Sequence, residues 1–199
     1  MARMPITPLE IRRQLFHISL GFVLVFLLSH GFVNAWILFW VLVMGIIVSW
    51  ISAHIRLPVI GWFLDKFERK QTRPGKGAIT YFIGVLLALQ LFPHDIAYAS
   101  ILILAVGDGV SSLIGPFGHI QTKLSDKKLF EGTFAGGVAG GLAAMLFVAP
   151  FEAMLAAFIA MFFEAMEIRL NQQLLNDNVV VPLVAGTVIM LLRNCGITI

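Results

Sequence analysis

Seven apolar runs separated by short polar breaks dominate the chain, at about 14–29, 32–52, 78–93, 96–115, 132–149, 153–170 and 179–193. A helix that crosses the hydrocarbon core of a bilayer needs about 20 mostly apolar residues, with a range of roughly 17–25. The breaks carry turn chemistry: Ser29-His30-Gly31, Pro93-His94-Asp95 and Pro150. Most runs are apolar all round, so helical periodicity does not sharpen their ends, and the short ones leave room for tilted or partly broken helices. Composition agrees. The 199 residues are 59% hydrophobic and 13% charged, about half the charge of a soluble domain. That is too little to cover a soluble surface, which excludes an ordinary cytoplasmic enzyme, a disordered chain and a nucleic-acid binder. One cysteine, Cys195, excludes a disulfide framework and a multi-cysteine metal site. The expected fold is all-α, a polytopic transmembrane helical bundle of about seven spans, forming one integral membrane domain over residues 1–199 with no cleavable signal peptide.

The basic residues set the expected orientation. Of 14 Lys and Arg, 13 fall in four regions: the N-terminus (Arg3, Arg12, Arg13), the 53–77 loop (Arg56, Lys66, Arg69, Lys70, Arg73, Lys76), the 116–131 loop (Lys123, Lys127, Lys128) and Arg169. With seven spans all four regions share one face, and the positive-inside rule makes that face cytoplasmic, with the N-terminus inside and the C-terminus outside. Only Arg193 falls on the other face, with the acids Asp95 and Glu152. The net charge of +3 and pI near 9.3 then follow from topology and require no nucleic acid.

Acids within spans are expensive and read as functional. Asp108 lies 12 residues into the fourth run, roughly 18 Å from its outer end. Glu164 lies 12 residues beyond Glu152 and reaches a similar depth, with Glu167 on the same helix face. Glu131 opens the fifth run and Asp177 the seventh. A lone carboxylate at such depth must be neutral, paired or metal-bound, and carboxylates beside phosphates are the usual ligands of Mg²⁺. The metal candidates are therefore Asp108, Glu131, Glu164 and Asp177.

The densest stretch runs from Gly107-Asp108-Gly109 through Ser111, Ser112, Gly115 and Gly118 to Lys123, Lys127, Lys128 and Glu131-Gly132-Thr133. Its glycines permit close backbone approach, and its serines donate hydrogen bonds. A lysine pair before a helix N-terminus favours a polyphosphate, although the same lysines also satisfy the positive-inside rule. No P-loop is present. Gly132, Gly136, Gly137, Gly140 and Gly141 form overlapping Gly-x-x-x-Gly pairs, expected to pack helices tightly. Arg73-Pro74-Gly75-Lys76-Gly77 is a basic turn that suits a phosphate or anionic headgroups. Asp177-Asn178 suits a metal or sugar contact, or a helix cap. His17, one turn after Arg12-Arg13 and about 7 Å from the cytoplasmic end of its helix, suits either a catalytic role or a hydrogen bond across helices.

The order of these segments resembles the dolichol kinase and phytol kinase (polyprenol kinase) family. Glu10-Ile11-Arg12-Arg13-Gln14-Leu15-Phe16-His17-Ile18-Ser19-Leu20-Gly21 is similar to its N-terminal Arg-Lys…His…Gly signature. Gly107-Asp108…Gly115…Gly118 followed by Lys128-Leu129-Phe130-Glu131-Gly132-Thr133 resembles its central motif, and Asp177-Asn178-Val179-Val180-Val181-Pro182 its closing Asp-Asn-x-x-x-Pro. The wider group includes CTP-dependent diacylglycerol kinases and phosphatidate cytidylyltransferases, whose Arg-x-x-Lys-Arg…Lys-Asp ending is absent here. The resemblance implies a membrane-embedded kinase that uses CTP and Mg²⁺ to phosphorylate an isoprenoid alcohol such as dolichol, phytol or geranylgeraniol at the cytoplasmic face. Asp108 would hold Mg²⁺ or act as base. Lys128 and Lys127, with Lys123, Arg73, Lys76, Gly107, Gly115, Gly132, Asp177 and Asn178, would form the nucleotide site, and Glu131 a second metal ligand. His17, Ser111 and Ser112 would complete the site.

Within the kinase reading, diacylglycerol is an alternative acceptor, which would make the protein a diacylglycerol kinase, and two other readings compete. A cytidylyltransferase would attack the α-phosphate of CTP and release pyrophosphate. A small cation- or proton-coupled transporter would use the acids as a relay, but it needs polar access from both faces, and no inverted repeat is visible. The expected partners are CTP, a lipid alcohol and membrane lipids, with homo-oligomerisation left open.

Overall fold

The computed structural model describes residues 7–55, 58–67, 74–118, 130–166, 169–170, 173–174 and 176–196. They form an all-helical bundle, apart from one pair of two-residue antiparallel strands (Arg169–Leu170 and Gln173–Leu174). Helix α1 is Pro8–Ser29, α2 Ala35–His54, α3 Pro58–Phe67 and α4 Lys76–Leu91. Helix α5 (His94–Leu102) runs through a π turn (Ile103–Asp108) into α6 (Gly109–Ile114) and a 3₁₀ turn (Gly115–Phe117). Helices α7 (Phe130–Ala144), α8 (Pro150–Ala165) and α9 (Asp177–Asn194) complete the chain.

Local chemistry starts the helices. Thr7 caps α1 by accepting from the Glu10 N–H, with proline at the first helical position. Asn34 caps α2 by accepting from the Ile37 N–H at 3.0 Å, and Asn176 caps α9 by accepting from the Asn178 N–H at 3.0 Å. Pro150 opens α8. Gly31, at φ 72°, lets the chain leave α1.

Among the described residues, four helical stretches are long and apolar enough to cross a membrane: Pro8–Ser29, Ala35–His54, His94–Phe117 and Asp177–Asn194. The protein is an integral membrane protein on this ground. Helices α4, α7 and α8 have 16, 15 and 16 residues and reach only about 22–24 Å at 1.5 Å per residue. The fifth and sixth apolar runs therefore exceed the helices they form. Residues 145–149 are a turn, and α8 stops at Ala165, with the short strand pair following in place of more helix. Helix α3 interrupts the expected 53–77 loop.

The rod His94–Phe117 is the centre of the bundle. Ile96, Ala97 and residues 99–107 are buried almost without interruption. Helix α7 lies against it through bare backbone. An ideal Cβ on Gly136 would stand 2.6 Å from the Gly107 carbonyl oxygen, and one on Gly132 2.8 Å from that of Ser111. The other glycine face of α7 receives α8: a Cβ on Gly137 would meet Phe158 at 2.7 Å, and one on Gly141 would collide with Met154. The Gly-x-x-x-Gly pairs are thus packing devices on two faces of one helix.

The two ends of the bundle differ in chemistry. At one end Arg193 joins three helices, with Nη1 donating to Asp95 at 2.5 Å and Nε donating to Glu152 at 3.1 Å. At the other end lie the first turns of α4, α7 and α9, the last turn of α8 and the segment 107–118.

Candidate active site

The π turn ends on Asp108. Inserted π turns widen a helix and leave its backbone groups differently aimed, and they recur at functional sites. Here the turn brings Asp108 towards α1, where His17 Nε2 lies 3.9 Å from Asp108 Oδ2. Both side chains are largely covered, with 15% and 16% exposure. The separation is too long for a direct hydrogen bond and fits one interposed oxygen. Nε2 has no hydrogen-bond partner. His17 and Asp108 each lie nine residues from the nearest end of their helical stretch, so both sit about 14 Å deep. His17 is deeper than the expected 7 Å because α1 begins at Pro8, ahead of the apolar run.

Close backbone approach fixes this arrangement. Gly109 presses against Ile18, and a Cβ there would come within 2.6 Å of it. A Cβ on Gly21 would collide with Ala105. Arg13 and the buried Gln14 both donate to Glu10 Oε1, at 2.6 and 2.9 Å, which orders the polar face of α1 one turn before His17.

Around this pair the structure gathers several expected residues. Gly107 contacts α7 at Gly136 and Gly140 and α8 at Met161. Ser111 is buried, and a Cβ on Gly132 would stand 2.7 Å from Gly115 Cα. Ser112 and Glu131 are half-buried, and Glu164 is 1% exposed on α8. Asn178 Nδ2 donates to Thr80 Oγ1 at 3.0 Å and to the Gly77 carbonyl at 3.3 Å, which ties the closing motif to the first turn of α4 beside the exposed Lys76. Asp177 is half-buried in the first turn of α9. Lys123, Lys127, Lys128 and Arg73 lie outside the described residues. Among the described residues no group of three His, Cys, Asp or Glu is close enough to hold a metal ion. Asp108, Glu131, Glu164 and Asp177 therefore form no all-protein cage.

Sequence reasoning missed Tyr81. It is 1% exposed, it meets the His17 ring edge-on with centroids 4.7 Å apart, and its hydroxyl has no hydrogen-bond partner. A tyrosine in the middle of an apolar run, one of two in the chain, was the available signal. Thr133, whose Oγ1 also lacks a hydrogen-bond partner, stands in the central motif but was not picked out as a site residue.

No family model and no solved structure matches the chain. It is 28% identical over 138 residues to CTP-dependent diacylglycerol kinase 1 of Saccharomyces cerevisiae, covering 65% of this chain and 47% of that protein. It is 30% identical over 135 residues to the enzyme of the same name from Schizosaccharomyces pombe, covering 62% and 60%. An uncharacterised protein of Methanocaldococcus jannaschii is 33% identical over 95 residues, covering 47% and 49%. The chain spans about half the length of the curated relatives it matches. Those with a described activity are CTP-dependent lipid kinases, the wider group that the motifs resemble, and their named acceptor is diacylglycerol rather than an isoprenoid alcohol.

Proposed function

We propose that this protein is a CTP-dependent lipid kinase that transfers the γ-phosphate of CTP to a membrane lipid alcohol at the cytoplasmic face, with the N-terminus inside and seven membrane-crossing helices. The observation that carries the reading is the meeting of α1 and the Gly-Asp motif. His17 and Asp108, 91 positions apart in sequence, face each other at 3.9 Å inside the bundle, and the relatives phosphorylate a lipid with CTP. Diacylglycerol is the acceptor favoured by the relatives, and dolichol, phytol or geranylgeraniol by the motif resemblance.

Phosphoryl transfer demands positioning and charge neutralisation more than covalent chemistry. The acceptor oxygen attacks the γ-phosphorus. A P–O bond forms there, the bond to the β–γ bridging oxygen breaks, CDP leaves with that oxygen, and the hydroxyl proton passes to the Asp108–His17 pair. Lys127 and Lys128, with Lys123, Arg73 and Lys76, neutralise the triphosphate. Gly107, Gly115 and Gly132 let backbone approach it, Ser111, Ser112 and Asn178 orient it, and Glu164 and Asp177 add negative charge for a cation. Glu131, and Asp108 where His17 alone takes the proton, would hold Mg²⁺, which neutralises phosphate charge when bound.

The test is product analysis. Purified protein is incubated with Mg²⁺, each nucleoside triphosphate and a panel of lipid alcohols. CDP and a phosphorylated lipid are expected. Pyrophosphate and a CDP-lipid would assign a cytidylyltransferase instead, and no nucleotide turnover would leave the transporter reading.

A further inference from the structure

The Tyr81 hydroxyl stands where no structural role accounts for it. Its ring lies against His17, and its oxygen sits beside α1 at Gly21, 3.2 Å from where a Cβ on that glycine would be. Gly21 also abuts Ala105 of the π turn. The hydroxyl therefore occupies a crevice between α1, α4 and the π turn that a side chain at position 21 would fill. It is fully buried and has no hydrogen-bond partner, and Nε2 of the His17 ring that Tyr81 packs against is likewise buried and unpartnered. A buried polar group left unpaired costs stability, and natural interiors pair nearly all of theirs. Two unpaired groups, one of them 3.9 Å from the half-buried Asp108, mark a place where a ligand oxygen completes the bonding.

Depth separates the two reactants. Gly21 is one helical turn farther into α1 than His17, so the Tyr81 oxygen lies on the membrane-interior side of the His17–Asp108 pair. The described polar residues proposed for the triphosphate at helix starts, Lys76, Asp177 and Asn178, lie in the first turns of α4 and α9, ahead of Tyr81 along α4. An oxygen that arrives at Tyr81 comes from the lipid.

Resting on the kinase reading above, we propose that Tyr81 is a catalytic residue for the acceptor: its hydroxyl donates a hydrogen bond to the alcohol oxygen of the lipid, beside His17 Nε2. Phenylalanine in its place keeps the ring packing on His17 and removes only the orphan oxygen.

The experiment compares wild type and Tyr81→Phe as full chains in mixed micelles, with dioctanoylglycerol and with farnesol as acceptor probes and Mg²⁺ and CTP present. The melting temperature is expected to be unchanged or higher, because an unpaired buried group has gone. kcat/KM for the lipid is expected to fall about tenfold, the loss of one good hydrogen bond, while the KM for CTP stays constant. Stability and activity thus move in opposite directions, which a structural tyrosine cannot produce. A lower melting temperature, unchanged lipid kinetics, or an equal rise in the KM for CTP each overturns the assignment. Wild type that phosphorylates neither probe overturns the kinase reading and this proposal together; active wild type with an indifferent variant overturns this proposal alone.

Discussion

Replacing Gly136 with alanine tests whether close approach of α7 holds Asp108 in place. The added Cβ would stand 2.6 Å from the Gly107 carbonyl oxygen, 2.9 Å from Ser111 Cβ and 3.1 Å from Met161 Sδ. The first contact is to backbone inside the π turn, so no side-chain rotation relieves it, and α7 must withdraw by several tenths of an ångström. Overpacking of this kind costs about 1–3 kcal/mol, and three simultaneous contacts place it in the upper part of that range. Alanine in a helix interior returns about 1 kcal/mol relative to glycine. The net expectation is a loss of about 1–2 kcal/mol, or roughly 2–8 °C in melting temperature for a chain of this size. Thermal unfolding in detergent measures it, and a turnover assay reports the displacement of Asp108 as a fall larger than the unfolded fraction explains. Gly45→Ala is the control. A Cβ there meets nothing within 4 Å, so the helix gain is kept and the protein should be slightly more stable. If Gly136→Ala matched Gly45→Ala in both assays, the contact-based reasoning would fail.

Asp108→Asn should lower turnover at least about a hundredfold, the lower end of what a positioned proton-transfer group contributes, with an unchanged melting temperature; near-normal turnover would remove Asp108 from the site. Arg193→Ala leaves Glu152, 1% exposed, without its cation. The cost should approach the lower end of the about 3–5 kcal/mol of a broken buried pair, since the arginine is 32% exposed; Glu152→Gln in the same chain should recover part of it, and a double-mutant cycle by thermal unfolding would show otherwise. Asn178→Ala should cost about 1–2 kcal/mol for two neutral hydrogen bonds, those to Thr80 and Gly77, and Thr80→Ala added to it should cost less than its effect alone.

Two helix starts were legible because turn chemistry is local: Pro150 and the Asp177-Asn178 turn each stand at a helix beginning. The start of α1 at Pro8, ahead of its apolar run, and the ends of α7 and α8 were not. Met145, Leu146, Phe147 and Val148 are as apolar as the helix before them, and hydropathy does not distinguish a buried turn from another helical turn. Charge placement at the far end was readable in outline. Arg193, Asp95 and Glu152 were singled out as the charges of that face, and the fold joins all three. The pairing of His17 with Asp108 was not readable, because it depends on how two all-round apolar helices rotate against each other. Leu102-Ile103-Leu104-Ala105-Val106 carries no residue that signals a π turn. Tyr81 escaped notice for the opposite reason: a single tyrosine in an apolar run reads as core until its hydroxyl is seen to lack a partner.

The π turn also makes the central rod sensitive to chain length. The part before the turn is anchored through Asp95 and through Tyr98, whose hydroxyl donates to the Leu28 carbonyl, and the part at and after its end through Gly107 and Gly109 on the neighbouring helices. These two anchorages are spaced for a helix that carries the extra turn width. Adding one residue between Leu102 and Val106 without a wider turn to absorb it would rotate everything beyond it by about 100°. Asp108 would then face away from His17 although every functional side chain was still present. Spacing along this segment, more than the identity of its apolar residues, is what the site inherits from it.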